Sequence, residues 1–147
     1  MTWDVSVAYC KSLALDGKSW ELASIHSEEE WTEAKAAGAT ATCFGHCGPH
    51  LFTPCDWFWL GGRLVGPATV GQVVWVDGTP YDWSPSFFEQ DCSCHEYLSA
   101  WPTVSCYGKG GGWADADGSW EMQALCKGSY HPYHFSLIVF VLHSILP

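Results

Sequence analysis

Five carboxylates gather in the second half of the chain: Glu89, Asp91, Glu96, Asp115 and Asp117. Calcium takes about six to eight hard oxygen ligands, so Glu89, Asp91, Asp115 and Asp117 are candidate calcium ligands. The run Asp115-Ala116-Asp117-Gly118 has part of the make-up of a calcium loop. It is short, however, and an acidic turn before a final strand is the simpler reading. Aromatic side chains lie among these acids, at Tyr97, Trp101 and Tyr107. An exposed ring can cover the apolar face of a pyranose by burying surface on both sides. Glu89, Asp91, Glu96, Tyr97, Trp101, Asp115 and Asp117 therefore form the candidate ligand-binding set. A second cluster, Cys43, His46, Cys47 and His50, would offer zinc four ligands if its thiols stayed reduced. Its spacing is not that of a standard finger, and Gly45, Gly48 and Pro49 break any helix there. No Gly-x-Ser-x-Gly elbow, phosphate-cradling glycine loop or His-Glu-x-x-His is present, so no catalytic residue is assigned and no enzyme is expected.

The cysteines bound the compartment. Eight of them in 147 residues is a high, even count that points to oxidising conditions and a disulfide framework. Ten tryptophans within 48% hydrophobic residues argue for one packed domain, and fifteen glycines with eight prolines for many turns. Sixteen acidic residues against six basic ones leave a net charge of −10. Repulsion from phosphates makes nucleic acid an unsuitable partner, while calcium, basic proteins and neutral sugars stay compatible.

These groups need elements to position them. Trp3, Val7, Cys10 and Ala14 recur at helical spacing, and Asp16-Gly17 is the expected stop. Ser27 and Glu30 form a capping-box pattern opening a second helix, with Glu28, Glu29 and Glu30 on its positive end and Gly38 as its stop. Residues 39–56, with Cys43, Cys47 and Cys55, read as an irregular insertion. Trp57 to Leu60 reads as a buried strand ended by Gly61-Gly62. Val73 to Val76 reads as another, followed by a hairpin-type turn at Asp77-Gly78. From Ser84 to Gly112 the chain reads as a long loop region, the usual carrier of binding function. Trp120, Met122, Ala124 and Cys126 alternate with polar residues as in a half-buried last strand. The apolar run 135–142 falls short of the roughly 18–20 residues that span a bilayer. It reads as a strand or tail, with a truncated membrane anchor as the alternative.

Landmarks appear in a fixed order along this framework: Trp3, Ala8 and Cys10; Leu22-Ala23-Ser24-Ile25-His26-Ser27-Glu28-Glu29-Glu30; Trp59-Leu60-Gly61-Gly62; Val74-Trp75-Val76-Asp77-Gly78; Trp83; Trp113-Ala114-Asp115; and Ala124-Leu125-Cys126. Together they resemble a divergent C-type lectin-like domain over residues 1–127, with 128–147 a hydrophobic tail outside it. The resemblance implies an α+β fold in which two helices pack on small antiparallel sheets and a long irregular loop region is displayed. It also implies an outer disulfide between the first helix and the last strand, where Cys10 and Cys126 stand. The family's opening strand and a signal peptide are not visible before Trp3, so the chain reads as a fragment.

The family's inner disulfide ties the long loop to a cysteine at the place occupied here by Gly118. Cys92 or Cys94 sits where the first partner belongs, and Cys106 is the substitute for the second. Sequence does not choose among the pairings of Cys43, Cys47, Cys55, Cys92, Cys94 and Cys106. Sugar-binding members hold calcium through a Glu-Pro-Asn or Gln-Pro-Asp tripeptide and the Asn-Asp of Trp-Asn-Asp. Here the loop reads Ser84-Pro85-Ser86-Phe87-Phe88-Glu89-Gln90-Asp91, and the asparagine position is Ala114, which has no oxygen to donate. The standard calcium site is not supported; a rebuilt one would use the acids named above. The resemblance thus implies an extracellular or cell-surface recognition module for a glycan or glycoprotein. A calcium-independent protein-interaction module is the alternative.

Overall fold

A computed structural model describes residues 1–15, 17–38, 57–65, 72–86, 88–89, 95–104, 110–129 and 136–141. In chain order the elements are α1 (Trp3–Ser12), β1 (Ser19–Leu22), α2 (Glu28–Gly38), β2 (Phe58–Val65), β3 (Gln72–Trp75), β4 (Phe88–Glu89), β5 (Tyr97–Val104), β6 (Gly110–Ala116), β7 (Gln123–Ser129) and β8 (Ser136–Val141). The chain is α+β, but its strands join in one mixed sheet where small antiparallel sheets were expected. Their order is β1-β7-β2-β5-β6-β4, with β3 on β2 and β8 on β7. Two parallel pairings produce this merger: β2 with β7 at Phe58↔Gln123 and Trp59↔Ala124, and β4 with β6.

Trp3, Ser6 and Cys10 line the buried face of α1. Ala14 lies beyond the helix and is exposed, because Leu13 turns to extended backbone and its N–H bonds back to the Cys10 carbonyl. The helix therefore closes before the Asp16-Gly17 stop that the spacing suggested. At the start of α2 the Ser27 hydroxyl accepts the Glu30 N–H at 3.2 Å, while the Glu30 carboxylate reaches back to the His26 N–H at 2.8 Å. This is a capping box displaced by one residue on its return arm.

Gly61-Gly62 does not end β2, which continues to Val65. The glycines mark close approach instead. A Cβ on Gly61 would strike the Leu22 carbonyl oxygen and come within 2.9 Å of Val76, and one on Gly62 would press into Leu98 and Trp75. Gly61→Ala should therefore destabilise by about 1–3 kcal/mol, read as a lower denaturant midpoint, because the obstacle is backbone. Asp77-Gly78 does form a turn, with Gly78 at φ 75° and its N–H on the Trp75 carbonyl. Residues 79–86 form no strand, so β3 gains no hairpin partner from them. Similarly, the region expected to be loop from Ser84 to Gly112 contains β4, all eight residues of β5 and the start of β6.

Alternation along the strands sorts the interior into two layers. Phe58, Leu60, Leu98, Trp113 and Leu125 face one side, where Trp31 and Ala34 of α2 complete the core. Trp59, Trp20, Leu22, Ala124 and Cys126 face the other, beneath Trp3 and Cys10 of α1. A sheet with both faces covered buries both sets of side chains, which is why β7 is not half-buried as expected: Ala124, Leu125 and Cys126 are all fully buried. Trp120, expected on its buried face, sits in the preceding turn with 42% of its surface exposed. Cys10 and Cys126 form a disulfide with Cα atoms 5.5 Å apart, joining α1 to β7. Part of the apolar tail forms β8, antiparallel to β7 from Ser129↔Ser136 to Ala124↔Val141. Among the described residues no helix is long and apolar enough to cross a membrane.

Candidate functional site

β6 carries Trp113-Ala114-Asp115 and has β4 on one side and β5 on the other. The parallel β4 register sets Phe88 beside Trp113 and Glu89 beside Ala114. On the antiparallel side, Leu98 lies opposite Asp115, Tyr97 opposite Ala116 and Trp101 opposite Gly112. Chain positions 88–89, 97–101 and 112–116, scattered in sequence, thus share one ribbon.

Trp113 anchors that ribbon. Its ring meets Trp31, Trp75, Trp83 and Phe88 edge to face, with centroids 6.1, 5.7, 5.7 and 6.3 Å away. Such T-shaped pairs place the positive edge of one ring on the negative face of another. Trp59, Trp75 and Trp113 are fully buried, and Trp83 is packed against the same core, so these rings serve packing.

The acidic candidates among the described residues sit in different settings. Asp115 is 4% exposed within the sheet. Asp117 lies past the end of β6, where its carboxylate accepts the Ser119 N–H at 2.8 Å. That backbone bond, with the Ser119 hydroxyl, holds the Asp117 carboxyl below its ordinary range. Glu96 is exposed and pairs with Arg63 at 3.1 Å, raising the guanidinium above its ordinary value chiefly through their hydrogen bond. Glu89 is placed only by its backbone register, and Asp91 lies outside the described residues. Among the described residues no three His, Cys, Asp or Glu side chains are grouped to hold a metal ion.

Of the aromatic candidates, Tyr97 is half-buried, tilted against Trp3 at 4.6 Å and covering Gly118. A Cβ on Gly118 would lie 2.5 Å from the Tyr97 ring, so any larger side chain there would have to displace that ring. Trp101 is placed by its backbone in β5, and Tyr107 lies outside the described residues, as do Cys43, His46, Cys47, His50, Cys55, Cys92, Cys94 and Cys106. Among the described residues, Trp120 after β6 is an exposed aromatic, and its ring lies 5.5 Å from His95.

A second polar constellation was not visible in the residue pattern. The loop before α2 meets the turn after β3 through five side chains. Asp77 accepts the Ser24 hydroxyl at 2.5 Å, the Thr79 hydroxyl at 2.6 Å and the Thr79 N–H at 3.0 Å. His26 lies between Thr79 and Asp82, with Nε2 3.0 Å from the Thr79 hydroxyl oxygen and Nδ1 2.7 Å from Asp82. Burial pushes the Asp77 carboxyl up, but the Ser24 and Thr79 bonds and the nearby His26 outweigh it and leave it below its ordinary range. The His26 hydrogen bond likewise holds Asp82 low. A signal for this network existed only as two aspartates flanking Gly78-Thr79-Pro80; nothing local brings His26 between them.

No protein-family model matches the sequence, and neither the curated proteins nor the solved structures yielded a match.

Proposed function

We propose that this chain is an extracellular recognition module of C-type lectin type that binds carbohydrate through residues 84–118 without the standard calcium site. The observation that carries the reading is the register of β4 on β6, in which Glu89 lies beside Ala114 and next to Asp115. In the family this chain resembles, ligand groups come from the same two places, the long loop and the strand after its tryptophan. Here the backbone juxtaposition is kept while Ala114 lacks an oxygen, Asp115 is buried and Asp117 is committed to Ser119. Sugar contact in this reading rests on aromatic stacking and on hydrogen bonds rather than on a metal. The Cys10–Cys126 disulfide fits an oxidising, extracellular setting.

The same losses favour a second reading, a calcium-independent protein-interaction module on this scaffold. A glycan array probed with calcium, and again with chelator, separates the two. Chelator-resistant glycan binding, weakened about tenfold in Trp101→Ala and unchanged in Asp115→Asn, is expected for stacking. Chelator-sensitive binding lost in Asp115→Asn would show a rebuilt calcium site. Absence of glycan binding by oxidised protein would remove the carbohydrate reading in favour of a protein ligand.

A further inference from the structure

Protons in the Ser24–Asp77–Thr79–His26–Asp82 chain can be assigned by counting donors. A hydroxyl has one proton to give. At 2.6 Å from an ionised carboxylate oxygen, the Thr79 hydroxyl gives that proton to Asp77. Its oxygen then has only lone pairs to present to His26 Nε2, 3.0 Å away, so Nε2 must donate. On the other side of the ring, Nδ1 faces the Asp82 carboxylate at 2.7 Å and must donate as well. A neutral imidazole carries one N–H, and only the imidazolium carries two.

We propose that His26 is the pin of a proton-operated clasp, which when charged fastens residues 77–82 to the loop before α2 and when neutral releases them. With one proton gone, the ring can keep Asp82 only by turning a lone pair towards the lone pairs of Thr79. Relief requires the Thr79 hydroxyl to leave Asp77 for His26, breaking the 2.6 Å bond. Among the described residues, the ionisable groups around the ring come from three elements. Asp82, and Asp77 through Thr79, belong to the turn after β3. Glu30 of α2 bonds the His26 N–H, and Lys127 of β7 balances it at 2.8 Å. β3 contributes the neutral Trp75 ring, edge-on at 6.1 Å.

The pH window has two edges. Asp77 and Asp82 have lowered values in the folded chain, so their share is present above the ordinary carboxylate range and is lost only as pH falls through those lowered values. The clasp is therefore closed while His26 carries two protons and opens when a rise in pH removes one. What opens is the stretch leading to Trp83, which packs on Trp113 at 5.7 Å. The clasp concerns the chain alone and stands apart from any ligand reading.

The test uses the oxidised full chain labelled with ¹⁵N, with imidazole ¹H–¹⁵N spectra and amide exchange followed from about pH 5 to about pH 8. Two protonated His26 nitrogens are expected at the acid end. The loss of one should coincide with about tenfold faster exchange at the Thr79 amide, the scale of one lost charge-assisted bond. In Asp82→Asn the His26 proton should be lost at lower pH than in the parent chain, because the facing carboxylate is gone. Asp82 is exposed, and an unchanged Trp113 indole signal controls for folding. A ring with a single proton throughout this range, or a transition that Asp82→Asn leaves in place, would overturn the clasp. No ligand enters these readouts, so they fail or succeed independently of the glycan array.

Discussion

Replacing Cys10 and Cys126 together by alanine should lower the unfolding free energy by about 4–5 kcal/mol. The bridge spans a sequence separation of 116, so in its absence the unfolded chain gains the freedom of a very long loop. Its position magnifies the consequence, because β7 pairs with β1, β2 and β8 while α1 covers the same face of the sheet. Both sulfurs are fully buried, which is why alanine is the right replacement: a serine hydroxyl would add an unsatisfied polar group to the loss. Domains of this size are stable by about 5–15 kcal/mol, so the variant should lose about a third of its stability or more. The check is denaturant unfolding, with a lower midpoint and a steeper dependence as the unlinked chain expands. A loss below about 1 kcal/mol would mean that the native state is strained by the bridge or that the unfolded chain is compact without it.

Truncating Trp113 to alanine should cost about 3–5 kcal/mol, the range for deleting a large buried aromatic side chain. Four rings meet it edge to face, from α2, β3, β4 and the segment before β4, so no single neighbour can collapse into the space. Trp113→Phe offers a sharper discrimination. Among the described residues the buried Trp113 indole N–H has no hydrogen-bond acceptor, so phenylalanine removes a polar atom that gains nothing from them. That variant should lose less than half of what alanine loses in the same unfolding experiment. Equal losses would assign the value of Trp113 to its full ring volume rather than to the aromatic faces around it.

Much of this scaffold was legible because its cues are local. Ser27 followed by Glu30 predicts the start of α2, and the hydroxyl does accept the Glu30 N–H. Trp3 and Cys10 at helical spacing predict a buried face for α1, and both are buried. The pairing of Cys10 with Cys126 came from the order of landmarks and is present. Other features hid behind residues with two physical uses. Glycine ends strands, but it also admits close contact, and Gly61 is used for the latter against the Leu22 carbonyl. The stretch from Ser84 to Gly112 read as loop, yet β5 runs through it to Val104. Alternation at Trp120 predicted a buried strand position, yet one turn residue more or less decides whether the ring faces the core or solvent.

The candidate site divides in the same way. Residue types identify which groups have oxygen atoms or rings to offer, and the alanine at position 114 is decisive whatever the fold does. Whether carboxylates that are near in sequence meet in space is a matter of pleat and register. Asp115 falls inside a covered sheet, and Asp117, two residues later, falls in an exposed turn and folds back on Ser119. The His26 network rests on contacts across 53 and 56 residues, between two loops with no pattern in common.

By itself, then, the order of residues determined the start of α2, since the capping pattern depends on side-chain chemistry within a turn of itself, while the Cys10–Cys126 pair, 116 residues apart, followed from the resemblance. Only the tertiary structure decided that the strands merge into one mixed sheet, which carboxylates are buried, and that a histidine is held between two aspartates. Those outcomes depend on strand register and on loop-to-loop docking, where a shift of one residue exchanges the core face for the solvent face.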